Sequence, residues 1–241
     1  MRTIYEPSGL AREYAPLALN IYNGCTHGCR YCYVPAMMRR TPEAFHSGVK
    51  FRHGLLEALP AACRNLKGDP RRIHLCFTCD PWPAIGTAQR DYTAEVLDIL
   101  ASHSMKISTL TKAPLRAVWH APLLRTCDAH FGVSLAWMDD VRRQEHEPGA
   151  QSVVDRMIGL QWAKSEGLHT WASIEPVVDP EQGLAAIEAL IPLVDEIKVG
   201  RLNHSQAANA IDWRKFAIEA HKMLSGSGKT FMLKSGLKEF I

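Results

Sequence analysis

The sequence predicts an α/β fold in which parallel strands are joined by crossover helices. Three observations carry that expectation. Short β-type runs alternate with helix-type stretches from end to end, and they make about six βα units. Parallel strands require crossover connections, so this order fits an open doubly wound sheet or a complete or partial (β/α) barrel. No repeat, low-complexity tract or obvious linker divides the 241 residues, so one domain spanning residues 1–241 is expected.

The elements follow in chain order. Leu17-Ala18-Leu19-Asn20-Ile21-Tyr22 reads as a first strand with Leu17, Leu19 and Ile21 on one face. A helix-like stretch from Phe51 to Leu66 is broken by Gly68-Asp69-Pro70. Residues 72–78 form a second strand, and a helix from about Ala88 to Ser102 puts Tyr92, Val96, Ile99 and Leu100 on one stripe. Residues 106–111 are a third strand, with a short helix around Leu115–Trp119. Residues 130–135 are a fourth strand, and a polar loop from Asp139 to Gln151 comes next. The helix from Ser152 to Ser165 stops at Gly167, a C-cap residue. Residues 170–174 make a fifth strand, and Pro180 opens a helix over Glu181 to Leu190. Residues 196–199 are a sixth strand, Ala207 to Leu224 is the longest helix, and residues 229–233 read as a last strand.

Composition narrows the function classes. The hydrophobic fraction of 46% excludes a disordered chain, and no apolar run approaches the roughly 18–20 residues of a membrane span. The net charge of +3 is too small to identify a nucleic-acid binder and does not exclude one. The start of the chain lacks the apolar core of a signal peptide, so a cytoplasmic, reducing compartment is expected. There, cysteines serve as metal ligands or reactive thiols more often than as disulfides.

Three of the seven cysteines fall within eight residues, in Asn23-Gly24-Cys25-Thr26-His27-Gly28-Cys29-Arg30-Tyr31-Cys32-Tyr33, directly after the first strand. Thiolates at C-x3-C-x2-C, with two glycines in the same loop, can wrap one metal centre and leave a coordination position open. The bland alternative is a structural zinc site using these cysteines plus His27 or a distant fourth ligand.

Cys25-x3-Cys29-x2-Cys32, with Tyr31 before the last cysteine, resembles the signature of the radical S-adenosylmethionine (SAM) superfamily. The resemblance implies a (β/α)6 partial barrel carrying a [4Fe–4S] cluster. Its open iron would chelate the SAM amino and carboxylate groups. Reduction would then cleave SAM to a 5′-deoxyadenosyl radical that takes a hydrogen from substrate. Thr78-Cys79-Asp80-Pro81-Trp82 resembles the form found around spore photoproduct lyase, the DNA-repair branch, where it meets the SAM ammonium. Lys112 and Ser134, at the third and fourth strand ends, resemble contacts to the SAM carboxylate, and Glu175 one to its ribose or adenine side. Glu147-Pro148-Gly149-Ala150 and Arg156 also fit that branch.

By the same resemblance, Cys76 or Cys79 is a candidate hydrogen-atom donor, although a spacing of three puts the two on opposite faces of a strand. Arg201, Asn203 and His204, at the end of the sixth strand, are candidate substrate contacts. The family implies an external electron donor of flavodoxin or ferredoxin type. An open barrel mouth suits a nucleic-acid or polypeptide substrate.

Two signals are set aside. Ser225-Gly226-Ser227-Gly228-Lys229-Thr230 lacks the first glycine of a phosphate loop, because Met223 stands there, and it follows a helix instead of opening one. Arg39-Arg40, Arg71-Arg72 and Arg142-Arg143 read as solvated pairs, although Arg39-Arg40 follows the cysteine loop closely enough to touch a phosphate backbone. The rival functions are a zinc-stabilised nucleic-acid-binding module and a metal-free α/β scaffold.

Overall fold

The computed structural model describes residues 3–85, 90–203 and 206–241. Seven parallel strands pair in chain order: β1 (Leu17–Leu19), β2 (Ile73–Leu75), β3 (Ile107–Thr111), β4 (His130–Ser134), β5 (His169–Val177), β6 (Glu196–Arg201) and β7 (Thr230–Leu233). A doubly wound sheet reverses its strand order at a switch point, and this one never does. Among the described residues no pairing joins β7 to β1. The sheet is nevertheless curled, because Tyr14, just before β1, places its hydroxyl 2.7 Å from Ser173 Oγ in β5. The fold is therefore an open, partial (β/α) barrel.

Six helices cover the outside: α1 (Leu55–Asn65), α2 (Tyr92–Ser102), α3 (Ala121–Thr126), α4 (Val153–Ser165), α5 (Pro180–Leu190) and α6 (Trp213–Ser225). Side-chain caps start most of them. Asp91, Asp179 and Asp212 accept first-turn amides, and Ser152 with Asp155 forms a reciprocal capping box. Outward strand residues Ile73, Ile107, Phe131, Val133, Ile174 and Ile197 pack with Leu59, Leu97, Leu160, Ile187 and Phe216 in one buried cluster. Each such side chain stabilises the fold by about 1.5–3 kcal/mol. Alternation then turns Lys112, Ser134, Ser173 and Lys198 inward, so the barrel has a polar interior and an apolar jacket.

Several boundaries differ from expectation, each for a local reason. Gly54, at φ +73°, delays α1 to Leu55, and Phe51 pairs with Tyr22 in a two-residue antiparallel ladder. The expected polar loop contains a helix, Asp140–His146, capped by Asp139. The last long helix divides into a 3-10 turn, Gln206–Ala210, and α6. The short helices Val34–Met37 and Pro42–Ser47 carry prolines in their first turns, where they fit, but which read as breakers in sequence. The proposed start at Ala88 lies outside the described residues. No helix among the described residues is long and apolar enough to cross a membrane.

Candidate active site

The loop bearing Cys25, Cys29 and Cys32 lies just past the C-terminal end of β1, at the barrel mouth. Gly24, at φ +95°, is required at the turn, since a Cβ there would stand 2.7 Å from the Phe45 carbonyl oxygen. Burial pushes the thiols up, Cys29 to about 12 and Cys25 well above its ordinary value. Metal-free, these are neutral thiols, so binding a metal must release protons.

The segment between β4 and α4 clamps this loop. Arg30 N–H donates to the His146 carbonyl at 2.9 Å and Gly149 N–H to the His27 carbonyl at 2.8 Å. The approach is so close that a Cβ on Gly149 would lie 2.1 Å from the Thr26 carbonyl oxygen. Only glycine fits there.

His27 locks the loop to the sheet. Its Nδ1 lies 3.1 Å from the Gly149 carbonyl oxygen and its Nε2 2.7 Å from Asp80 Oδ2. Both ring nitrogens are thus engaged by protein oxygens. The Asp80 carboxylate also accepts from Trp82 N–H, Thr111 Oγ1 and Lys112 N–H at 2.8–3.0 Å. Burial alone would raise Asp80, but His27 and these amides outweigh it and hold the carboxyl at about 2.

A second buried network stands on the other side of the loop. The Tyr31 hydroxyl donates to Glu147, which also accepts from the Arg156 guanidinium. Glu147 and Arg156 are fully buried. Burial opposes ionisation of Glu147, yet Arg156 and Lys112 bring its carboxyl below the ordinary value. Lys112 Nζ sits 3.8 Å from Glu147, donates to Ser134 Oγ at 2.8 Å and lies 5.9 Å from the Tyr31 ring centroid. Three residues expected separately, Tyr31, Lys112 and Ser134, are thus one constellation.

Glu175, Arg201 and Asn203 also come together, lining a cleft of ≈ 240 Å³ between the ends of β5 and β6 and the helix Ser235–Lys238. Glu175 accepts from Lys234 Nζ at 3.0 Å and from the Tyr14 hydroxyl. Arg201 is 3.4 Å from Glu239. His204 lies outside the described residues.

The expectation that Cys76 and Cys79 face opposite sides is corrected. β2 stops at Leu75 and Cys76 takes φ +75°, so the period of two no longer applies to the pair. Cys76 is buried, Cys79 half-buried. Thr78 is half-buried in the same turn, its N–H held by Asn20 Oδ1 at 3.1 Å.

The donor set at the mouth suits an iron–sulfur cluster and not a single zinc ion. Both nitrogens of His27 are already engaged by protein oxygens, so it cannot be the fourth ligand. Among the described residues the three cysteine sulfurs do not all lie within 4.8 Å of one another. Tetrahedral Zn–S bonds of about 2.3 Å would hold them closer than that. A cluster takes its thiolates at separate corners.

An open parallel barrel with a three-cysteine loop at the strand C-termini defines a cofactor-dependent α/β enzyme whose metal centre keeps one position for a small molecule. Residues 19–194 match the radical SAM superfamily. The chain belongs to that superfamily, and its cofactors are a [4Fe–4S] cluster and SAM. No curated protein sequence matches it. Among solved structures it is similar to a single-site mutant of spore photoproduct lyase (13% identity, TM-score 0.72, covering 97% of this chain and 80% of that one). A doubly substituted lyase with bound AdoMet and dinucleoside spore photoproduct is also similar (11%, TM-score 0.65, 91% and 64%). So is SuiB of Streptococcus suis bound to its precursor peptide SuiA (15%, TM-score 0.65, 96% and 52%). At these identities the likeness is one of fold.

Tyr14 and Lys234 were not foreseen. Their signal was faint: Tyr14 precedes any periodic segment, and Lys234 is a cation just after a strand, as Lys112 is.

Proposed function

We propose that this enzyme holds its cluster on Cys25, Cys29 and Cys32 and cleaves SAM reductively to abstract hydrogen from a nucleic-acid substrate. The observation that carries the reading is the fastening of the cysteine loop to three places at once: Asp80 through His27, Glu147 through Tyr31, and the Gly149 backbone. When bound, the cluster supplies one electron to SAM, and an external donor of flavodoxin or ferredoxin type replenishes it.

The chain's own residues bind and orient. Lys112 Nζ and Ser134 Oγ, already 2.8 Å apart, offer a cation and a hydroxyl to the SAM carboxylate, beside the Tyr31 ring. The backbone carbonyls of the turn at Thr78 and Asp80 accept from the ammonium. The Asp80 carboxylate, filled by protein donors, positions that turn. Glu175, anchored by Lys234, accepts from the ribose or adenine edge. Arg201 and Asn203, in the same cleft, contact substrate. Cys79, the more accessible thiol of its pair, is the better placed hydrogen donor, and Cys76 stands behind it.

Nucleic acid is favoured over polypeptide by the Thr78–Trp82 turn. It is also favoured by the structural likeness, which spans 80% of a spore photoproduct lyase chain but about half of SuiB. The test is anaerobic reconstitution followed by reduction with dithionite in the presence of SAM. Release of 5′-deoxyadenosine is expected, with none from Cys29→Ala. A cluster-loaded, reduced protein that leaves SAM intact overturns the reading. Stimulation of that release by peptides but not by damaged DNA overturns the choice of substrate.

A further inference from the structure

We propose that the opposite end of the barrel carries a second metal site, for a divalent transition-metal ion, formed by His130, His169 and Glu196. Their ligand atoms lie within 4.8 Å of one another, and among the described residues they are the one such group of three His, Cys, Asp or Glu side chains. The inference is independent of the radical SAM reading, which uses none of these residues.

The site is built on strands. His130 and His169 are the first residues of β4 and β5 and pair in register, and Glu196 is the first residue of β6. Side chains at strand starts are held by the ladder, which gives a metal site the rigidity it needs. All three are half-buried at the strand N-termini, so an ion can enter from solvent.

The local geometry suits metal coordination better than direct hydrogen bonding. The imidazoles of His130 and His169 stack with centroids 4.0 Å apart, so both nitrogens are near one point and a rotation of one ring about its χ angles would bring its lone pair onto a shared ion. Among the described residues, His169 Nε2 is buried and has no hydrogen-bond partner. It faces Glu196 Oε2 at 3.9 Å. That gap is too wide for a hydrogen bond, but two metal–ligand bonds of about 2.0–2.2 Å can bridge it. On the other edge of the ring, His169 Nδ1 is 4.0 Å from Asp195 Oδ2, itself fixed by Thr170. At that distance Asp195 adds negative charge beside the ring without a direct hydrogen bond to it.

The neighbouring cations leave room. Arg72 is engaged by Asp128, and Lys198 Nζ approaches the other Glu196 oxygen, Oε1, at 3.6 Å. Two imidazoles and one carboxylate select borderline ions such as Zn²⁺ or Fe²⁺ over Mg²⁺ or Ca²⁺. An ion there would tie together the first residues of β4, β5 and β6.

The probe is Zn²⁺ titrated calorimetrically into desalted, cluster-loaded protein, with Co²⁺ as a spectroscopic stand-in in the Cys25→Ala/Cys29→Ala/Cys32→Ala variant. One equivalent is expected to bind in both. Affinity should fall in His169→Asn and Glu196→Gln by at least the about 10- to 100-fold that losing a supporting group costs. The Co²⁺ visible bands should vanish from the triple variant when Glu196→Gln is added. SAM cleavage by cluster-loaded Glu196→Gln should be unchanged. Absence of a bound equivalent, or an equivalent insensitive to Glu196→Gln, overturns the site. Glu196→Gln is isosteric and at the surface end of its strand, so it decides the matter even if His169→Asn fails to fold.

Discussion

The two ends of this barrel bury polar side chains in opposite ways. At the mouth, buried carboxylates are partnered: Asp80 by His27 and Glu147 by Arg156, each accepting further donors. Toward the floor a buried imidazole stands without a charged partner of opposite sign, beside the Lys198 ammonium. His74, 1% exposed, faces Tyr14, Phe77 and Trp171, and its Nδ1 has no hydrogen-bond partner among the described residues. The paired end holds its geometry because removing the partner strands a charge. The floor is stable only while His74 stays neutral. The contrast follows the proposed chemistry, since a loop that must present three sulfurs needs directional struts on several sides.

Acid should expose the difference most strongly. Burial, reinforced by Lys198, depresses His74 to about 3, against 6.5 in the unfolded chain. A depressed folded value means the unfolded state takes its proton first. Stability is therefore complete above pH 6.5 and is lost as pH falls from there toward 3. The full loss is about 5 kcal/mol, of which about 2 kcal/mol is gone by pH 5, where the comparison is best made. Urea midpoints at pH 7 and pH 5 for wild type and His74→Leu measure it. The variant should be within about 1 kcal/mol of wild type at pH 7 and should lose less at pH 5. Equal losses would mean that His74 is solvated or paired, and the contrast between the two ends would collapse.

At the mouth the largest effect should come at neutral pH. Arg156→Leu leaves Glu147 buried with only Tyr31 and Lys112 as partners. It should cost about 3–5 kcal/mol in urea unfolding, because an uncompensated buried charge remains. The double variant Arg156→Leu/Glu147→Leu should recover part of that. The cycle separates the cost of stranding a charge from the worth of the pair.

The order of elements and the cysteine loop were legible because both are local. Strand periodicity, caps and the C-x3-C-x2-C spacing each lie within about a dozen residues. Lys112 and Ser134 were legible as strand-end residues, and parallel register then brings them together without any special feature. What the sequence concealed is long-range or depends on where a strand stops. The His27–Asp80 pair joins residues 53 apart, and the loop over 139–151 read as polar surface because nothing local says that it folds over the cysteines. Cys76 and Cys79 were put on opposite faces because the strand was extended to Thr78. The left-handed turn at Cys76 ends that pattern at Leu75 and brings the thiols together. Tyr14 and Lys234 join elements from the two ends of the chain across the open side of the barrel, and no short-range pattern encodes that.

The smallest effect sharpens the comparison by separating the two ends in pH. Asp80 is held at about 2, against 3.8 for an ordinary aspartate, because His27 and the backbone amides of Lys112 and Trp82 outweigh its burial. Its folded value is depressed, so its contribution is complete above about pH 4 and is lost as pH falls toward 2, roughly 2 kcal/mol in all. Acid unfolding of iron-free protein should therefore show a further loss of stability after most of the His74 effect has been spent. Iron-free protein is required because protonated thiols release metal. Asp80→Asn should remove this lower step and leave the upper one intact. It should also destabilise the fold at pH 7, since an amide offers one acceptor oxygen where the carboxylate offers two to His27, Trp82, Thr111 and Lys112. A lower step that survives in Asp80→Asn would reassign it to Glu147, whose carboxyl is also lowered once Arg156 and Lys112 have overcome its burial. The double variant Asp80→Asn/Glu147→Gln would then decide whether the struts of the mouth act as one unit or as two.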